Sequence, residues 1–501
     1  MTVGALLRTL DSLRAPGAST DATSIEVPCT AVAYDSRRAR PGSIFVALRG
    51  ANADGTVFVA QAVANGAVAV VAERAPDAPP PVPWVVVTDA RLALALLSAS
   101  FFNHPSHEMR VVGITGTNGK TTTSYLLHAI FEAAGISTGL MSTVTTRIGT
   151  LERDATRTTP EAPDLQSHLR DMRAAGCAAC VMEVSSHALA LKRADGVRFA
   201  AGVFTNLTRD HLDFHEDMDR YFAAKRRLFE MLPADAPALI NVDDPRAPAL
   251  IEVSTRPVTY GITRPADVSP GPLSYSLEGL RFDVRTPQGT MAIRSPLVGR
   301  PNVLNILAAV GIASTLGLPP GAIERGVREL RGVPGRFEVV STPADDIAVV
   351  IDYAHTDDAL RNLLETARPL AARRLITVFG AGGARDRSKR PLMGMVAARL
   401  SDVVVITSDN PRHEDPDRII EEIRLGADPE ARQSQTEVRV IPDRREAVCQ
   451  AIGLAAPGDV VLVAGKGHEK YQEVAGTQLP HDDCAVALQA LEARRSTSRV
   501  G

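Results

Sequence analysis

The chain has 501 residues, 45% of them apolar and 23% charged, and a formal net charge of −3. That length suits about three domains with separate cores, and the near-neutral charge gives no basis for a nucleic-acid-binding surface. Five cysteines, an odd and sparse set, argue against a disulfide framework and for a reducing compartment.

The N-terminus lacks a secretory pattern. Leu6, Leu7, Leu10 and Leu13 share a helical face, and Asp11 and Arg14 interrupt any continuous apolar stretch. No run approaches the roughly 18 apolar residues of a membrane span, so a cytoplasmic protein is expected.

The first hundred residues read as a small α/β unit. Asp35-Ser36-Arg37 precedes a strand over 43–48, a helix over 57–65, and strands at 68–71 and 84–87. On physics alone, Asp35-Ser36-Arg37 reads as a solvated turn. Asn103-His104-Pro105 marks a boundary, because the residue before proline resists helix. The expected divisions are 1–105, 106–334 and 335–501.

Val111-Val112-Gly113-Ile114-Thr115 then runs into Gly116-Thr117-Asn118-Gly119-Lys120-Thr121-Thr122 and a helix reaching about Ala134. That order gives a strand, a phosphate-cradling loop and a helix N-terminus. Glycines let backbone N–H groups close on phosphate oxygens, and the helix dipole favours the charge. Lys120 would reach the outer phosphates, and the Thr121 hydroxyl would ligate Mg²⁺. The spacing departs from the strict G-x-x-x-x-G-K-[ST] form, since Ile114 stands five before Gly119.

Strands and helices alternate beyond this loop, as in a mostly parallel sheet covered on both faces, where ligands bind beyond strand carboxyl ends. Thr158-Thr159-Pro160 precedes a helix. Glu183-Val184-Ser185 closes the strand 178–182, and Glu183 faces the phosphate loop as a candidate Mg²⁺ ligand. The loop 205–215, with Asp210, His211 and His215, is unusually dense in ionisable groups for a connector. Cys177 and Cys180 form a lone C-x-x-C leading into an apolar run and read as buried small residues. Lys225, in a helix over 221–232, reads by itself as a solvated lysine. Residues 256–298 alternate as a β meander. Asn302 and Asn305 share a helical face, with helix capping by Asn302 as an alternative. Gly332 to Gly335 forms a hinge-like linker.

The last third again alternates. Strands end at Asp352, at Gly380-Ala381-Gly382-Gly383, at Ser408-Asp409-Asn410-Pro411-Arg412 and at Gly465-Lys466-Gly467-His468-Glu469. Arg385 occupies the last glycine position of an incomplete G-x-G-x-x-G, which rejects a nicotinamide site.

Taken in order, these motifs resemble the Mur ligase family, the ATP-dependent amide-forming enzymes of peptidoglycan precursor synthesis. The resemblance begins at Gly116 to Thr122 and extends over nearly the whole chain. It implies an N-terminal UDP-binding α/β domain, a central ATPase domain and a C-terminal Rossmann-like domain. It places Ser36 and Arg37 at uridine and diphosphate, and Thr158, Thr159, Ser185 and Arg193 at the UDP-muramoyl substrate. Asn302 and Asn305 resemble adenine-side residues, Arg336 a nucleotide-contacting arginine, and Asp352 is assigned to the same site. His211 and Lys225 match a His-rich loop and helical lysine, the lysine being carbamylated and the two joining a second Mg²⁺. Arg385, Asp409, Asn410, Arg412, Gly465 and Glu469 fall to the incoming amino acid. Leu191 departs from the family, standing where some relatives carry glutamine. The implied reaction joins meso-2,6-diaminopimelate to UDP-N-acetylmuramoyl-L-alanyl-D-glutamate, by a monomer without a membrane span. The rivals are L-lysine as the added amino acid, or a non-catalytic nucleotide-gated binding protein on the same fold.

Overall fold

The computed structural model describes residues 1–15, 25–50, 53–76, 81–276 and 278–498. The inner strands of its parallel sheets are apolar runs short enough to be strands and buried on both faces. In the first unit, Ala31–Ala33, Ser43–Val46, Ala67–Ala72 and Trp84–Val86 lie side by side, all parallel. Alternate residues go to opposite faces: Ile44 and Val46 pack with Leu6, Leu7 and Leu94, whereas Phe45 packs with Val59 and Ala62. The N-terminal leucines divide between the helix Val3–Arg8 and a short 3₁₀ turn, Asp11–Leu13. The expected helix at 57–65 is likewise shorter, a 3₁₀ turn Gly55–Phe58 followed by Val59–Ala64, because Asp54 caps the turn through its bond from Thr56 N–H.

The second unit has eight strands, in the spatial order Pro257–Tyr260, Ala238–Asn241, Ala201–Phe204, Arg110–Thr115, Ala179–Glu183, Thr138–Met141, Thr145–Ile148 and Leu151–Asp154. All neighbours are parallel except the last two pairs. Arg110–Thr115 is thus central, flanked by the strands that end at Phe204 and Glu183. Helices Lys120–Ala133, Arg300–Thr315 and Pro320–Glu329 share one core; Ala162–Ala174 and Met218–Glu230 cover the other face. Cys177 and Cys180 are free and buried on that second face.

The meander expected at 256–298 is only partly one. Residues 257–260 pair in parallel with the central sheet, and the antiparallel sheet comprises Ser269–Pro270, Ser274–Ser276, Gly279–Thr286 and Gly289–Ser295.

The third unit orders its strands Glu338–Val339, Ala348–Asp352, Val460–Ala464, Leu375–Phe379, Val403–Ile406 and Glu437–Val440, with only the first antiparallel. Helices Asp357–Ala367, Lys389–Leu400 and Pro416–Ser434 cover one face, Arg444–Leu454 and Asp483–Ser498 the other. A hairpin, Tyr471–Val474 with Thr477–Pro480, stands beside this sheet. Among the described residues no helix is long and apolar enough to cross a membrane.

Candidate active site

The loop after the central strand is held tightly. A Cβ on Gly116 would lie 1.8 Å from Thr205 Oγ1, and one on Gly119, at φ +85°, 2.3 Å from Asn305 Oδ1. Both positions therefore exclude side chains. The loop's own polar groups are bound by the 205–208 segment. Thr117 N–H donates to Asn206 O at 2.8 Å, Asn118 N–H to Asn206 Oδ1 at 2.9 Å, and Thr205 Oγ1 to Asn118 O at 2.6 Å.

Two ammonium groups meet at this loop. Lys120 Nζ donates to Gly116 O at 3.0 Å and to Thr117 O at 2.8 Å, while Lys225 Nζ donates to the same Gly116 O at 2.6 Å. Lys225 is 1% exposed and stands 4.4 Å from the centre of the Tyr221 ring. Burial, reinforced by Lys120, holds its ammonium well below the usual lysine range. So the solvated helix lysine suggested by Lys225 in isolation is corrected: helix Met218–Glu230 turns it inward, onto the phosphate loop.

Glu183 is fully buried at the end of its strand. Its carboxylate accepts from Thr143 N–H at 2.8 Å and Thr143 Oγ1 at 3.1 Å, and Thr143 in turn meets Thr158 Oγ1 at 3.1 Å. Thr159 Oγ1 donates to Glu183 O, and Ser185 N–H donates back to Thr159 Oγ1. Arg193 pairs with Glu161 at 2.7 Å and reaches Thr159 O. Thr158, Thr159, Glu183, Ser185 and Arg193 therefore share one corner. Ser36 and Arg37 do not join it: Ser36 Oγ donates to Gln61, and the exposed Arg37 pairs with Asp35. Their neighbour Arg38 makes the link to the central unit, 2.9 Å from Asp164.

His211, at φ +54°, lies 3.3 Å from Asp210 and packs edge-on against His187. Burial pushes its imidazole down to about 3, against the pull of Asp210.

On the nucleotide side, Asn302 does not cap its helix. Its Nδ2 donates to Val298 O, and Asn305 Nδ2 donates to Asn302 Oδ1, which aims Asn305 Oδ1 at Gly119. Arg336 donates to Thr121 Oγ1 at 3.3 Å and lies over the Tyr353 ring. Asp352 accepts from Phe337 and Ala354 N–H groups, each at 2.7 Å, and burial raises its carboxyl. Asp358 accepts from Asn118 Nδ2 at 3.1 Å, so the third unit touches the phosphate loop.

The strand ends of the third unit form a second cluster. Lys466 is 0% exposed and donates to Asn410 Oδ1 at 2.9 Å and Glu469 Oε2 at 3.1 Å, with Asp409 Oδ1 at 3.5 Å. Asn410 Nδ2 donates to Glu469 Oε2, and Gly465 lets Asp409 Oδ2 lie against its backbone. Arg412, at φ +53°, pairs with Glu473 at 3.1 Å and donates to Gly383 O at 2.6 Å. Arg412 does not pair with the nearby Glu414, which is taken by the buried Arg390 at 2.9 Å. Arg385 is exposed and stands apart from this cluster's hydrogen bonds. Thr143, Asp358, Lys466 and Glu473 are members of these clusters not assigned from sequence. Lys466 alone carried a signal, as the cation inside the Gly465–Glu469 motif.

Three family models match the chain: Mur ligase family, catalytic domain (residues 28–102), Mur ligase middle domain (114–313), and Mur ligase, glutamate ligase domain (335–467). The UDP-N-acetylmuramoyl-L-alanyl-D-glutamate–2,6-diaminopimelate ligase of Syntrophomonas wolfei is 47% identical, over 92% of this chain and 94% of its own length. That of Solibacter usitatus is 48% identical, over 92% and 93%. A solved structure of a ligase of the same name superposes with a TM-score of 0.68 at 35% identity, covering 95% of this chain and 97% of its own. MurF from Acinetobacter baumannii shares the fold, with a TM-score of 0.65 at 20% identity over 98% of each chain.

Proposed function

The chain belongs to the Mur ligase family, and from that premise we propose that it is an ATP-dependent ligase adding meso-2,6-diaminopimelate to UDP-N-acetylmuramoyl-L-alanyl-D-glutamate. The observation carrying this reading is 47% and 48% identity, across more than nine-tenths of the chain, to relatives of that name. The D-glutamate side-chain carboxylate attacks the γ-phosphorus of ATP, ADP leaves, and an acyl phosphate forms. The amino acid's amine then attacks the acyl carbon. Phosphate leaves, and the nitrogen loses its proton as the amide forms.

The roles are those the family resemblance implies. Residues 1–105 hold the UDP-substrate, with Ser36 and Arg37 at the nucleotide and Thr158, Thr159, Ser185 and Arg193 contributed by the 106–334 unit. The N–H groups of Gly116 to Thr122 cradle phosphate, and Lys120 trades its carbonyl partners for phosphate oxygens. Asn302, Asn305, Arg336 and Asp352 border the nucleoside. Residues 335–501 bring the amino acid, through Arg385, Asp409, Asn410, Arg412, Gly465 and Glu469.

A Mg²⁺ requirement fits this chain. Glu183 is a buried carboxylate whose hydrogen bonds, among the described residues, come from the neutral Thr143, so it has no bonded counter-charge there. Thr121 and Glu183 would hold one ion, and His211 and carbamylated Lys225 a second. Bound Mg²⁺ offsets the repulsion between the γ-phosphate and the incoming carboxylate. Lys225 is suited to carbamylation, since a buried lysine with a depressed pKa supplies the neutral amine that adds to CO₂ with loss of a proton.

The test is phosphate release with the UDP-dipeptide acceptor and a panel of amino acids. Release should require both acceptor and meso-diaminopimelate. Arg412 already pairs with Glu473, so lysine would not leave it without a partner; a second substrate carboxylate adds a further charge-assisted contact, and at least ~10-fold preference over L-lysine is expected. Equal use of lysine would overturn the amino-acid assignment, and release independent of any amino acid would overturn the ligase.

A further inference from the structure

Lys466 is fully buried at the strand ends of the third unit, and, unlike the nearby buried Arg444, which is paired with Asp483, its ammonium faces residues of the amino-acid side. Asn410 Oδ1 lies 2.9 Å away, Glu469 Oε2 3.1 Å and Asp409 Oδ1 3.5 Å. An ammonium has three N–H groups and no acceptor: two are hydrogen-bonded to Asn410 and Glu469, and the third is left for Asp409, held only as an ion pair at 3.5 Å. Lys466 therefore cannot itself be a substrate ligand without giving up a partner.

Its partners are differently placed. Asn410 Oδ1 also accepts from Glu473 N–H at 2.9 Å, which fixes the amide so that Nδ2 donates to Glu469 Oε2, also at 2.9 Å. Glu469 is tied through Oε2 by two hydrogen bonds and Asp409 Oδ1 by the ion pair to Lys466, while Asp409 Oδ2 and Glu469 Oε1 make no hydrogen bond among the described residues. Two carboxylates against one ammonium leave one net negative charge, the complement of one substrate ammonium. Diaminopimelate carries two such groups; Arg412, beside the cluster, is suited to a carboxylate.

We propose that Lys466 is the positioning residue of the amino-acid site: it draws Asp409 and Glu469 together and locks the Asn410 amide, presetting the two free carboxylate oxygens as an acceptor for one ammonium of the incoming amino acid. This rests on the ligase reading above. Without Lys466 the two acidic groups repel. They then separate, or one takes a proton, and either change removes the acceptor without touching the phosphate loop.

The experiment compares wild type with Lys466→Met and Lys466→Arg, measuring kcat and KM for meso-diaminopimelate, ATP and the UDP-dipeptide, with thermal melts of each protein. Lys466→Met should raise KM for diaminopimelate at least ~10-fold, with kcat and the other two KM values within about threefold. Lys466→Arg keeps the charge, but its planar fork cannot reach three convergent acceptors, so its KM should rise less, by about 3- to 10-fold. A graded KM effect confined to one substrate is not what a general loss of structure produces. Should the Met variant fail to fold, the Arg variant decides alone. Its KM for diaminopimelate staying at the wild-type value, or all three KM values rising together in a folded variant, overturns the proposal. A wild type that does not use diaminopimelate would instead overturn the functional reading, before any variant is compared.

Discussion

Lys225 and Lys120 share one acceptor, and the physics of that pair makes a sharp expectation at the residue scale. Two ammonium groups on one carbonyl repel each other, which favours the neutral amine on the buried Lys225, and a carbamate there would replace the repulsion with attraction. Lys225→Ala should lose most activity, and a small carboxylate such as formate or acetate should restore part of it. Lys225→Arg, which keeps the charge, should remain inactive. Steady-state rates with and without added formate check this; full activity of the arginine variant would sink the carbamate. Lys225 also marks where sequence reading stops. A helical lysine is ordinarily solvated, and only the turn of Met218–Glu230 toward Gly116 makes it otherwise.

At the scale of elements, the parts legible in the sequence are those whose signal is local. The β-branched run before Gly116, the apolar strands ending at Glu183, Asp352 and Asp409, and the glycines of the phosphate loop each announce themselves within a few residues. Thr143, Asp358 and Glu473 do not, because each enters its site through contacts with segments 40 to 240 positions away. Arg390 belongs to the same class. Fully buried, it bridges Glu414 at 2.9 Å and Glu422 at 2.8 Å and so ties helix Lys389–Leu400 to the start of Pro416–Ser434. Arg390→Met would leave two carboxylates facing an apolar side chain, at a cost of about 3 kcal/mol. A lowered melting temperature of the third unit, with diaminopimelate binding weakened only in proportion to unfolding, is the expected result. The hydrogen bonds from Arg390 hold the Glu414 carboxyl down at about 2. Its folded value lies below its unfolded one, so its stabilisation is complete above about pH 4.5 and fades as pH falls toward 2.

For the molecule as a whole, acid should act earlier and through histidines. His128, His215 and His468 are each pushed down to about 4, burial being the largest cause for all three. Unfolded, they titrate near 6.5, so below that pH the unfolded chain binds more protons than the folded one. Stability should therefore fall steadily from pH 7 to pH 5. Melting temperatures measured in that window check it, and a flat profile would count against these burial environments. The linker carries a different consequence. Gly335, at φ +66°, leaves only 2.2 Å between a would-be Cβ and His468 N, and its carbonyl accepts from Tyr353 N–H. It is welded to the third unit, whereas a Cβ at Gly332 would meet nothing within 4 Å. If the third unit turns against the second, the pivot lies before Gly335, which puts Arg336 on the third unit's side while its guanidinium reaches back to Thr121. On the proposed reading, the unit that brings the amino acid also brings Arg336 to the nucleotide. ATP affinity is in this sense a gauge of that unit's angle, and by reciprocity whatever draws the unit inward must tighten the grip on ATP.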